Sequence, residues 1–298
     1  MKITKKQFDI LVYLDSAKSS PSQREIAKKT GISVGSVNKI LSELTENGYV
    51  RQGSLTPEGR EVIEPYRVKR AVFLAAGFGS RLMPVTLNTP KPLVRVKGQR
   101  IIDTLIDAVI KIGIEDIYIV RGYLGDQFDA LLKKYPNIKF IDNPVYNETN
   151  NISSAYFARY ILSGSYVFEA DLLLYNPDII TKYQYCSNYL GVPTDRTDDW
   201  CFITDNMGNI KKMAIGGTDC YHMYGISYWT EEDGARLSRC IEKVYDSIPG
   251  GKERYWDEVA LDYCIDEFKI AVRECTFDDI IEIDTFSELK KLDSSYAI

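Results

Sequence analysis

The first 50 residues alternate polar stretches with apolar residues at helical spacing. Residues 3–14 follow this pattern, and Ser22 with Glu25 three positions later forms a capping-box pattern that starts a second helix. That helix is expected to end at Gly31, and Ser33 is expected to start a third. The apolar face of the third helix is formed by Val37, Ile40, Leu41 and Leu44. The pattern therefore predicts three short helices, the last two joined by a tight glycine turn.

Two helices joined by a tight turn, with the small Ala27 where they cross, make a helix-turn-helix arrangement. Residues 48–63 then resemble the short wing and following helix of winged helix-turn-helix regulators. We therefore predict a winged helix-turn-helix domain over residues 1–67. The small polar side chains on its third helix could approach a DNA major groove, which makes DNA a candidate partner through residues 22–50. The alternative is a solvated helix face on a domain kept for dimerisation or regulation.

The pattern changes after residue 67. Short apolar runs rich in β-branched residues, typical of buried strands, occupy residues 70–76, 116–121, 138–141 and 165–169. Segments with helical spacing lie between them, at residues 102–112, 124–135 and 152–162. Strands that alternate with helices indicate βαβ units. We predict an α/β domain over residues 68–298, with a Rossmann-like, mostly parallel mixed sheet.

The ligands of such sheets bind at the carboxyl ends of the strands. This rule selects the residues that follow each run, namely residues 77–81, 122–123, 142–151 and 170–171. The candidate site is therefore expected to contain a glycine loop, an asparagine-rich segment and Asp171.

Charge divides the chain in the same way as the hydrophobic pattern. Residues 1–70 carry 13 Lys and Arg against 8 Asp and Glu, whereas the remainder carries 24 against 34. No apolar run approaches the roughly 20 residues of a membrane span, and the first residues lack the apolar core of a signal peptide, so we expect a cytoplasmic protein with no membrane partner. The single histidine and the absence of a CxxC pair disfavour histidine-based nucleophile schemes and a structural zinc site.

The glycine loop at residues 74–82 narrows the chemistry. It lacks the third glycine of the dinucleotide fingerprint, and the second strand of the domain ends in Arg121 rather than a carboxylate. The chain also has no GxxxxGK[ST] loop, so NAD binding and P-loop hydrolysis are both disfavoured. What the loop offers is backbone N–H groups at Gly77 and Gly79, a guanidinium at Arg81 and an ammonium at Lys91, all suited to phosphate oxygens.

The string LAAGFGSRL…NTPKPL resembles the signature of the nucleotidyltransferases, the pyrophosphorylase-like enzymes that make nucleotide-activated sugars and alcohols. The strings YNETNNISSAYFA, EADLLLY, DDWCFI, RYWDEVALDYC and EIDTFSELKKL look like the bacterial CTP:phosphocholine cytidylyltransferases, a branch that includes enzymes activating aminoalkylphosphonates. This resemblance spans residues 70–298. It implies CTP as the nucleotide, and it implies Mg²⁺ held by Asp171 and Asp284.

Transfer to the α-phosphorus of a nucleoside triphosphate brings two anions together, so catalysis consists mainly of positioning and charge neutralisation. Mg²⁺ takes carboxylate and phosphate oxygens, which agrees with the implied aspartates. We predict catalytic roles for Arg81 at the leaving pyrophosphate and Lys91 at the α-phosphate. The predicted nucleotide-binding residues are Leu74, Ala75, Ala76, Gly77, Gly79, Ser80, Gly122, Tyr123 and Ser153.

An acceptor with a quaternary ammonium is held by aromatic faces and nearby carboxylates. The predicted acceptor-binding residues are Asn151, Tyr189, Trp200, Tyr255, Trp256 and Asp257. Of these, Tyr255, Trp256 and Asp257 match a family motif, whereas the other aromatic residues have burial in the core as an alternative.

The sequence thus predicts a Mg²⁺-dependent cytidylyltransferase that couples CTP to phosphocholine or a close analogue. Two alternatives stay open: a sugar-1-phosphate nucleotidyltransferase, and a transcriptional regulator that senses a nucleotide or choline with a transferase-like domain. Residues alone do not separate phosphocholine, phosphoethanolamine and 2-aminoethylphosphonate as acceptors. They also leave a homodimer open as the assembly.

Overall fold

The computed structural model describes residues 3–17 and 19–297, so the outermost residues of both predicted domains and Lys18 lie outside the description. Over the described residues the chain forms two compact units. The first contains the residues up to Arg67 together with Tyr183–Tyr185, and the second contains Val68–Lys182 and Cys186–Ile298. The segment Tyr183–Tyr185 differs from the expectation that residues 68–298 form one module.

The first unit is helical with a small two-stranded ribbon. Its elements are α1 (Lys5–Ser16), α2 (Gln23–Thr30), α3 (Val34–Glu46), β1 (Val50–Arg51), β2 (Ser54–Leu55) and α4 (Pro57–Ile63). The capping box predicted at Ser22 and Glu25 is present, and Gly31 ends α2 in the left-handed region with φ of 70°. Strands β1 and β2 pair antiparallel. This is the winged helix-turn-helix order that the pattern predicted.

The core of the first unit draws on residues far apart in the sequence. Phe8 of α1, Tyr66 and Tyr185 form an aromatic cluster with ring centroids 5.1 to 5.4 Å apart. The Oη of Tyr185 donates to the carbonyl of Ile3 at 3.0 Å, and the N–H of Gln184 donates to the carbonyl of Tyr66 at 2.9 Å. Aromatic pairs at these distances add to the stabilisation by burial. The later segment is therefore an integral part of this core.

The second unit is an α/β domain. Its elements up to the end of the parallel strands are β3 (Arg70–Ala75), β4 (Arg95–Val96), β5 (Gln99–Arg100), α5 (Ile101–Lys111), β6 (Asp116–Arg121), β7 (Lys139–Asp142), α6 (Ile152–Ala158), β8 (Ser165–Glu169) and β9 (Leu172–Leu174). The remaining elements are β10 (Asn188–Thr204), β11 (Ile210–Trp229), α7 (Glu231–Ser247), the single turn α8 (Trp256–Glu258), β12 (Ala271–Glu274), β13 (Ile280–Glu282) and α9 (Phe286–Leu292).

The central sheet has the strand order β12-β10-β11-β8-β3-β6-β7. Strands β8, β3, β6 and β7 run parallel, as βαβ units require, while β11 runs antiparallel to β8 and to β10. A separate antiparallel pair joins β9 to β13. The prediction of a mostly parallel mixed sheet is confirmed.

Hydrophobic cores lie on both faces of the sheet, as β3 illustrates. Its residues Ala71, Phe73 and Ala75 pack in one core with α5, and Val72 and Leu74 pack in the other with α6 and α7. Successive side chains of a strand point to opposite faces, and both faces are buried here, so this strand is apolar at almost every position. Burial on both faces fixes its register, so the loop that follows it has a fixed starting point.

One predicted helix takes a different form. Residues 124–135 were expected to be helical, and the structure has a 3₁₀ segment, Gly125–Leu131, in its place. The buried residues of this segment, Phe128 and Leu131, are three positions apart, which suits the three-residue turn of a 3₁₀ helix. No helix among residues 3–17 and 19–297 is both long and apolar enough to cross a membrane.

Candidate active site

A cleft of about 370 Å³ opens where the parallel strands end. It is lined by the loop after β3, by residues that follow β7 and β8, and by Asp284 after β13. Most of the predicted nucleotide-binding, catalytic and metal residues line it, together with one predicted acceptor residue, Asn151. They are Leu74, Ala75, Ala76, Gly77, Gly79, Ser80, Arg81, Lys91, Ser153, Asp171 and Asp284. The topology brings them together because the carboxyl ends of parallel strands share one edge of the sheet.

The glycine loop needs a glycine at position 79 for two reasons. Gly79 lies in the left-handed region with φ of 61°, and a Cβ there would come 2.7 Å from the Cβ of Lys91. Its carbonyl accepts a hydrogen bond from Thr86 Oγ1 at 2.9 Å. Gly77, in contrast, has open space where a side chain would point. The loop is therefore packed tightly against Lys91 at Gly79 and open to the cleft at Gly77.

Lys91 lies between two carboxylates. Its Nζ donates to Asp171 Oδ2 at 2.8 Å and to Asp284 Oδ1 at 3.1 Å, and its side chain is only 9% exposed. Burial alone would lower the pKa of Lys91, but Asp171 and then Asp284 offset this and raise it. The ammonium is thus charged and held in place at the floor of the cleft.

Arg81 reaches one of these two carboxylates, Asp284, from the solvent side. Its Nη1 lies 2.8 Å from Asp284 Oδ2, and its side chain remains 65% exposed. Lys91 is therefore a fixed cation, while Arg81 is a cation at the mouth of the cleft. This arrangement suits one positive charge at a reacting phosphorus and another at a leaving group.

The residues Asp171, Glu282 and Asp284 could hold a metal ion. One carboxylate oxygen from each lies within 4.8 Å of the others, and the pairing of β9 with β13 brings these distant segments side by side. Asp171 Oδ1 is buried and has no hydrogen-bond partner among the described residues. An unpartnered buried carboxylate oxygen among other oxygen ligands fits a hard cation such as Mg²⁺.

The pKa values of these carboxyls differ because their neighbours differ. Burial opposes ionisation of Asp284, yet Lys91 beside it lowers the pKa of this carboxyl. Burial, followed by the charges of Asp171 and Asp284, raises the pKa of Glu282 to about 9. A bound cation would favour the ionised form of each. Glu282 was missed in the sequence, although it stands in the EID string two residues before Asp284.

Asn151 connects the cleft to the segment that carries the predicted acceptor residues. Its Oδ1 accepts from the backbone N–H of Trp256 at 2.8 Å, and its Nδ2 donates to Glu169 Oε1 at 3.4 Å. The side chain therefore holds the start of α8 against the end of β8. Asn151 is a positioning residue in this geometry.

Two further side chains in this region were not among the residues predicted to bind a ligand. Asn143 is buried, and its Nδ2 donates to Ser153 Oγ at 2.8 Å and to Ser154 Oγ at 3.2 Å. Glu169, the last residue of β8, lines the cleft two residues before Asp171. Both lie at the ends of parallel strands. The strand-end rule selected the range 142–151, which contains Asn143, and its last range began one residue after Glu169.

Gly122 and Tyr123 support the loop and do not line the main cleft. The N–H of Tyr123 donates to the carbonyl of Ala76 at 3.1 Å, and its Oη donates to the carbonyl of Thr86 at 2.9 Å. A Cβ at position 122 would clash with the ring of Tyr146. The structure thus places this pair behind the glycine loop, where the two residues support it.

The predicted acceptor aromatics fall into two groups. Tyr255 is 45% exposed, and its ring packs edge-on against Trp200, with centroids 5.8 Å apart. Tyr189 and Trp256, which were expected to contact the acceptor, are fully buried and pack on each other in the core. Their size and apolar surface explain this burial. They support the segment, whereas Tyr255 and Trp200 remain accessible.

Asp257 is buried beside this core. Its Oδ1 accepts from Tyr189 Oη at 2.9 Å. Burial raises the pKa of Asp257 to about 7, although the hydrogen bond from Tyr189 opposes this shift. The carboxyl was expected to bind the acceptor, and its buried hydrogen bond gives it a structural part in holding α8.

Comparison with known proteins gives the same division of the chain. A family model described as nucleotidyl transferase matches residues 70–187, and one described as winged helix-turn-helix DNA-binding matches residues 3–51. The 2-aminoethylphosphonate cytidylyltransferase of Lancefieldella rimae is 36% identical over 76% of this chain and 92% of its own length.

The choline-phosphate cytidylyltransferase of Streptococcus pneumoniae is 33% identical over 75% of this chain and 96% of its own length. The solved structure of CTP:phosphocholine cytidylyltransferase from the same organism superposes with a TM-score of 0.70 at 32% identity, covering 77% of this chain and 99% of that one. The chain belongs to the bacterial cytidylyltransferase branch of the nucleotidyltransferase family and carries an N-terminal winged helix-turn-helix domain.

Proposed function

We propose that the protein is a Mg²⁺-dependent cytidylyltransferase that transfers CMP from CTP to phosphocholine or a close aminoalkyl phosphate or phosphonate. The observation that carries this proposal is Lys91, held between Asp171 and Asp284 next to the glycine loop. The Lys91 ammonium lies beside Asp171, whose Oδ1 has no hydrogen-bond partner in residues 3–17 and 19–297. A buried cation next to a carboxylate that can take a metal ion suits a reaction between two anions.

In this proposal an oxygen of the acceptor phosphate or phosphonate attacks the α-phosphorus of CTP. The new bond joins that oxygen to the α-phosphorus, and the bond between the α-phosphorus and the oxygen bridging to the β-phosphate breaks. Lys91 stabilises negative charge at the α-phosphate, and Arg81 stabilises the departing pyrophosphate. The attacking oxygen is already ionised at neutral pH, so the step needs no general base.

The three carboxylates Asp171, Glu282 and Asp284 would hold Mg²⁺. When bound, the ion neutralises phosphate charge and orients the triphosphate. Lys91 already offsets part of the charge of two of these groups, so the site keeps negative charge for a cation and does not repel the nucleotide.

The acceptor class follows from the relatives and from accessible side chains. The relatives named above act on 2-aminoethylphosphonate and choline phosphate, which share a terminal anion and a cationic head. Tyr255 and Trp200 offer aromatic surface to such a head. A sugar phosphate would instead need hydrogen-bond partners for its hydroxyl groups.

A pyrophosphate-release assay tests the proposal. Purified protein with Mg²⁺ is incubated with each nucleoside triphosphate in combination with phosphocholine, phosphoethanolamine, 2-aminoethylphosphonate and sugar 1-phosphates. Release with CTP and an amine-bearing acceptor is the expected result. Release with sugar 1-phosphates instead would establish the sugar nucleotidyltransferase. No release with any pair, together with DNA binding, would favour the regulator.

A second function, DNA binding, is proposed for residues 22–50. The observation that favours it is the outer face of α3, where Gly35, Asn38 and Lys39 are exposed. These residues lie within the segment that matches the winged helix-turn-helix family model. The test is a gel-shift selection from a pool of random duplexes. Lys39→Ala should weaken binding and flatten its salt dependence, while Lys6→Ala on α1 should not. Failure of the selection to enrich any sequence would contradict specific DNA recognition.

A further inference from the structure

Two buried thiols and an exposed carboxylate meet in the second unit, outside the cleft. They belong to Cys240 of α7, Cys264 and Glu267, and none of the three residues lines the cleft. The two Sγ atoms and one carboxylate oxygen of Glu267 all lie within 4.8 Å of one another. Cys240 and Cys264 are each only 3% exposed and belong to one hydrophobic core, whereas Glu267 faces solvent. The three donors therefore converge on one point at the edge of this core.

The local backbone brings Cys264 and Glu267 to this point. The chain makes a π-turn over Val259–Tyr263, and the N–H of Cys264 donates to the carbonyl of Val259 at 2.9 Å. Such widened turns are rare, and they often occur at functional sites. A 3₁₀ turn follows, in which the N–H of Glu267 donates to the carbonyl of Cys264 at 2.9 Å. Cys264 and Glu267 thus have the spacing of the two ligands in a CxxC pair, with a carboxylate in place of the second thiol.

The charges around Glu267 leave its carboxylate available. The nearby guanidinium of Arg236 donates to the backbone carbonyl of Glu267 and to Asp233 Oδ1, both at 2.9 Å, and to Glu232 Oε1 at 3.0 Å. Two other acids therefore neutralise Arg236, which holds the turn through its backbone. Within residues 3–17 and 19–297 the Glu267 carboxylate forms no ion pair.

Two sulfur atoms and one oxygen select a different ion from the one proposed for the cleft. Mg²⁺ takes oxygen ligands, whereas thiolates favour Zn²⁺. The usual Zn–S and Zn–O distances place the ligand atoms of a tetrahedral site roughly 3.5 to 3.8 Å apart, so small rotations of these side chains complete the geometry. Burial raises the pKa of the Cys240 thiol, which is therefore neutral without a metal. A coordinated Zn²⁺ deprotonates such a thiol, so binding releases protons.

We propose that Cys240, Cys264 and Glu267 bind Zn²⁺, with water at the fourth position on the solvent side. The ion ties α7 to the turn that follows the π-turn. Because it binds the folded arrangement and not the unfolded chain, it stabilises this unit. This is not the site of four Cys or His ligands that the sequence disfavours, since one ligand is a carboxylate and another comes from a separate helix. The inference does not depend on the proposed cytidylyltransferase function.

Cobalt substitution tests for the site. The full chain is purified with a reducing agent, freed of metal by chelation and titrated with Co²⁺ without oxygen. Thiolate ligands give a sulfur-to-cobalt charge-transfer band in the near ultraviolet, which the carboxylates of the cleft do not give. The band should saturate at about one Co²⁺ per chain, and Zn²⁺ should displace the Co²⁺ because it binds such ligands more tightly. The displacement measures the affinity for Zn²⁺.

Variants separate the three ligands from other buried thiols. Cys240→Ser and Cys264→Ser should each diminish the band and weaken Zn²⁺ binding by more than the roughly 10- to 100-fold that loss of an outer-shell partner costs. Glu267→Gln keeps both thiolates, so the band should remain while the affinity falls about tenfold or more. Cys275→Ser is the matched control, because Cys275 is also buried but lies outside the group, and it should leave both unchanged. Zn²⁺ should raise the Tm of the wild type and not that of Cys240→Ser.

Three outcomes would overturn the inference. These are a wild type without the band, a band that both serine variants retain, or a Zn²⁺ affinity that Glu267→Gln leaves unchanged. If a serine variant does not fold, as judged by circular dichroism, Glu267→Gln decides, because the exposed position of Glu267 contributes nothing to the core. Turnover is not measured in these experiments, so failure of the proposed function and failure of this inference are separate results.

Discussion

Lys91 Nζ lies 2.8 Å from Asp171 Oδ2 although the two residues are 80 positions apart in the chain. The contact joins the segment that follows β3 to the carboxylate that follows β8, and these are two adjacent parallel strands of the central sheet. A change at either residue therefore alters the charge of the cleft without removing apolar contacts from the core.

Replacing Lys91 with alanine should lower kcat/KM for pyrophosphate release by roughly a hundred- to a thousandfold, because it removes the buried cation that the proposed function places at the α-phosphate. Circular dichroism should still show a folded protein. Lys111→Ala removes an exposed lysine of the same unit and should leave the rate unchanged. Near-normal turnover by the Lys91 variant would contradict the assigned role.

Chelation should abolish turnover, and Mg²⁺ should restore it, because Asp171 Oδ1, in the group of three carboxylates, is buried and has no hydrogen-bond partner within the described part of the chain. Asp171→Asn is nearly isosteric and removes one ligand charge, so it should weaken metal binding roughly tenfold or more. Titration with Mn²⁺, followed by electron paramagnetic resonance without substrate, measures this separately from activity. Full activity after exhaustive chelation would rule out a metal requirement.

Gly79→Ala should damage both stability and activity. The positive φ costs about 1 kcal/mol for alanine, and the new methyl group would press on Lys91. Gly98→Ala is the matched control, since Gly98 also has a positive φ, of 85°, but has open space around it. Urea unfolding should show a lower free energy of unfolding for both variants, whereas kcat/KM should fall only in Gly79→Ala. Equal activity in the two would argue against the contact with Lys91.

The raised pKa of Asp257 predicts how the stability of the protein depends on pH. Its pKa in the folded protein is raised to about 7, above the unfolded value near 3.8, so the folded state binds the extra proton between these values. The carboxyl therefore costs stability as pH rises through this window, by about 1.4 kcal/mol per pH unit at most.

Asp257→Asn keeps an acceptor for Tyr189 and removes this cost. Relative to the wild type, its free energy of unfolding should increase between pH 5 and pH 8. Urea titrations at several pH values give the difference, and the pH-independent effect of the substitution cancels in the comparison. A difference that is flat with pH, or that falls, would show that Asp257 is ionised when folded.

The sequence was sufficient for the parallel strands and the site residues that follow them. A strand such as β3, buried on both faces, is apolar after Arg70, and the rule that ligands bind at strand ends then selects Gly79 and Asp171 as one group. Lys91 lies outside the ranges selected by this rule and was predicted from the string LAAGFGSRL…NTPKPL. The pairing of Asp171 with Asp284 came from family resemblance, because no local pattern shows that β9 and β13 are adjacent.

Other features could not be predicted. The long strands β10 and β11 are interrupted by register shifts and by the polar stretch around Asp198, which hide the period-two pattern. The burial of Trp256 depends on packing against Trp229 and Tyr189, contacts that sequence spacing does not encode. The position of Glu169 similarly depends on a glycine in a strand 56 residues further along the chain.

The aromatic cluster of Phe8, Tyr66 and Tyr185 has a consequence for synthesis of the chain. The helix-turn-helix unit cannot complete its core when residue 67 leaves the ribosome, because one ring of the cluster has not yet been translated. The core can be completed only after more than a hundred further residues have been synthesised. A gene fragment that ends after the wing would therefore encode an incomplete domain. By the time Tyr185 is added, the strands β3, β6, β7 and β8 have also been synthesised, so the first unit completes its fold only after most of the parallel sheet has been made.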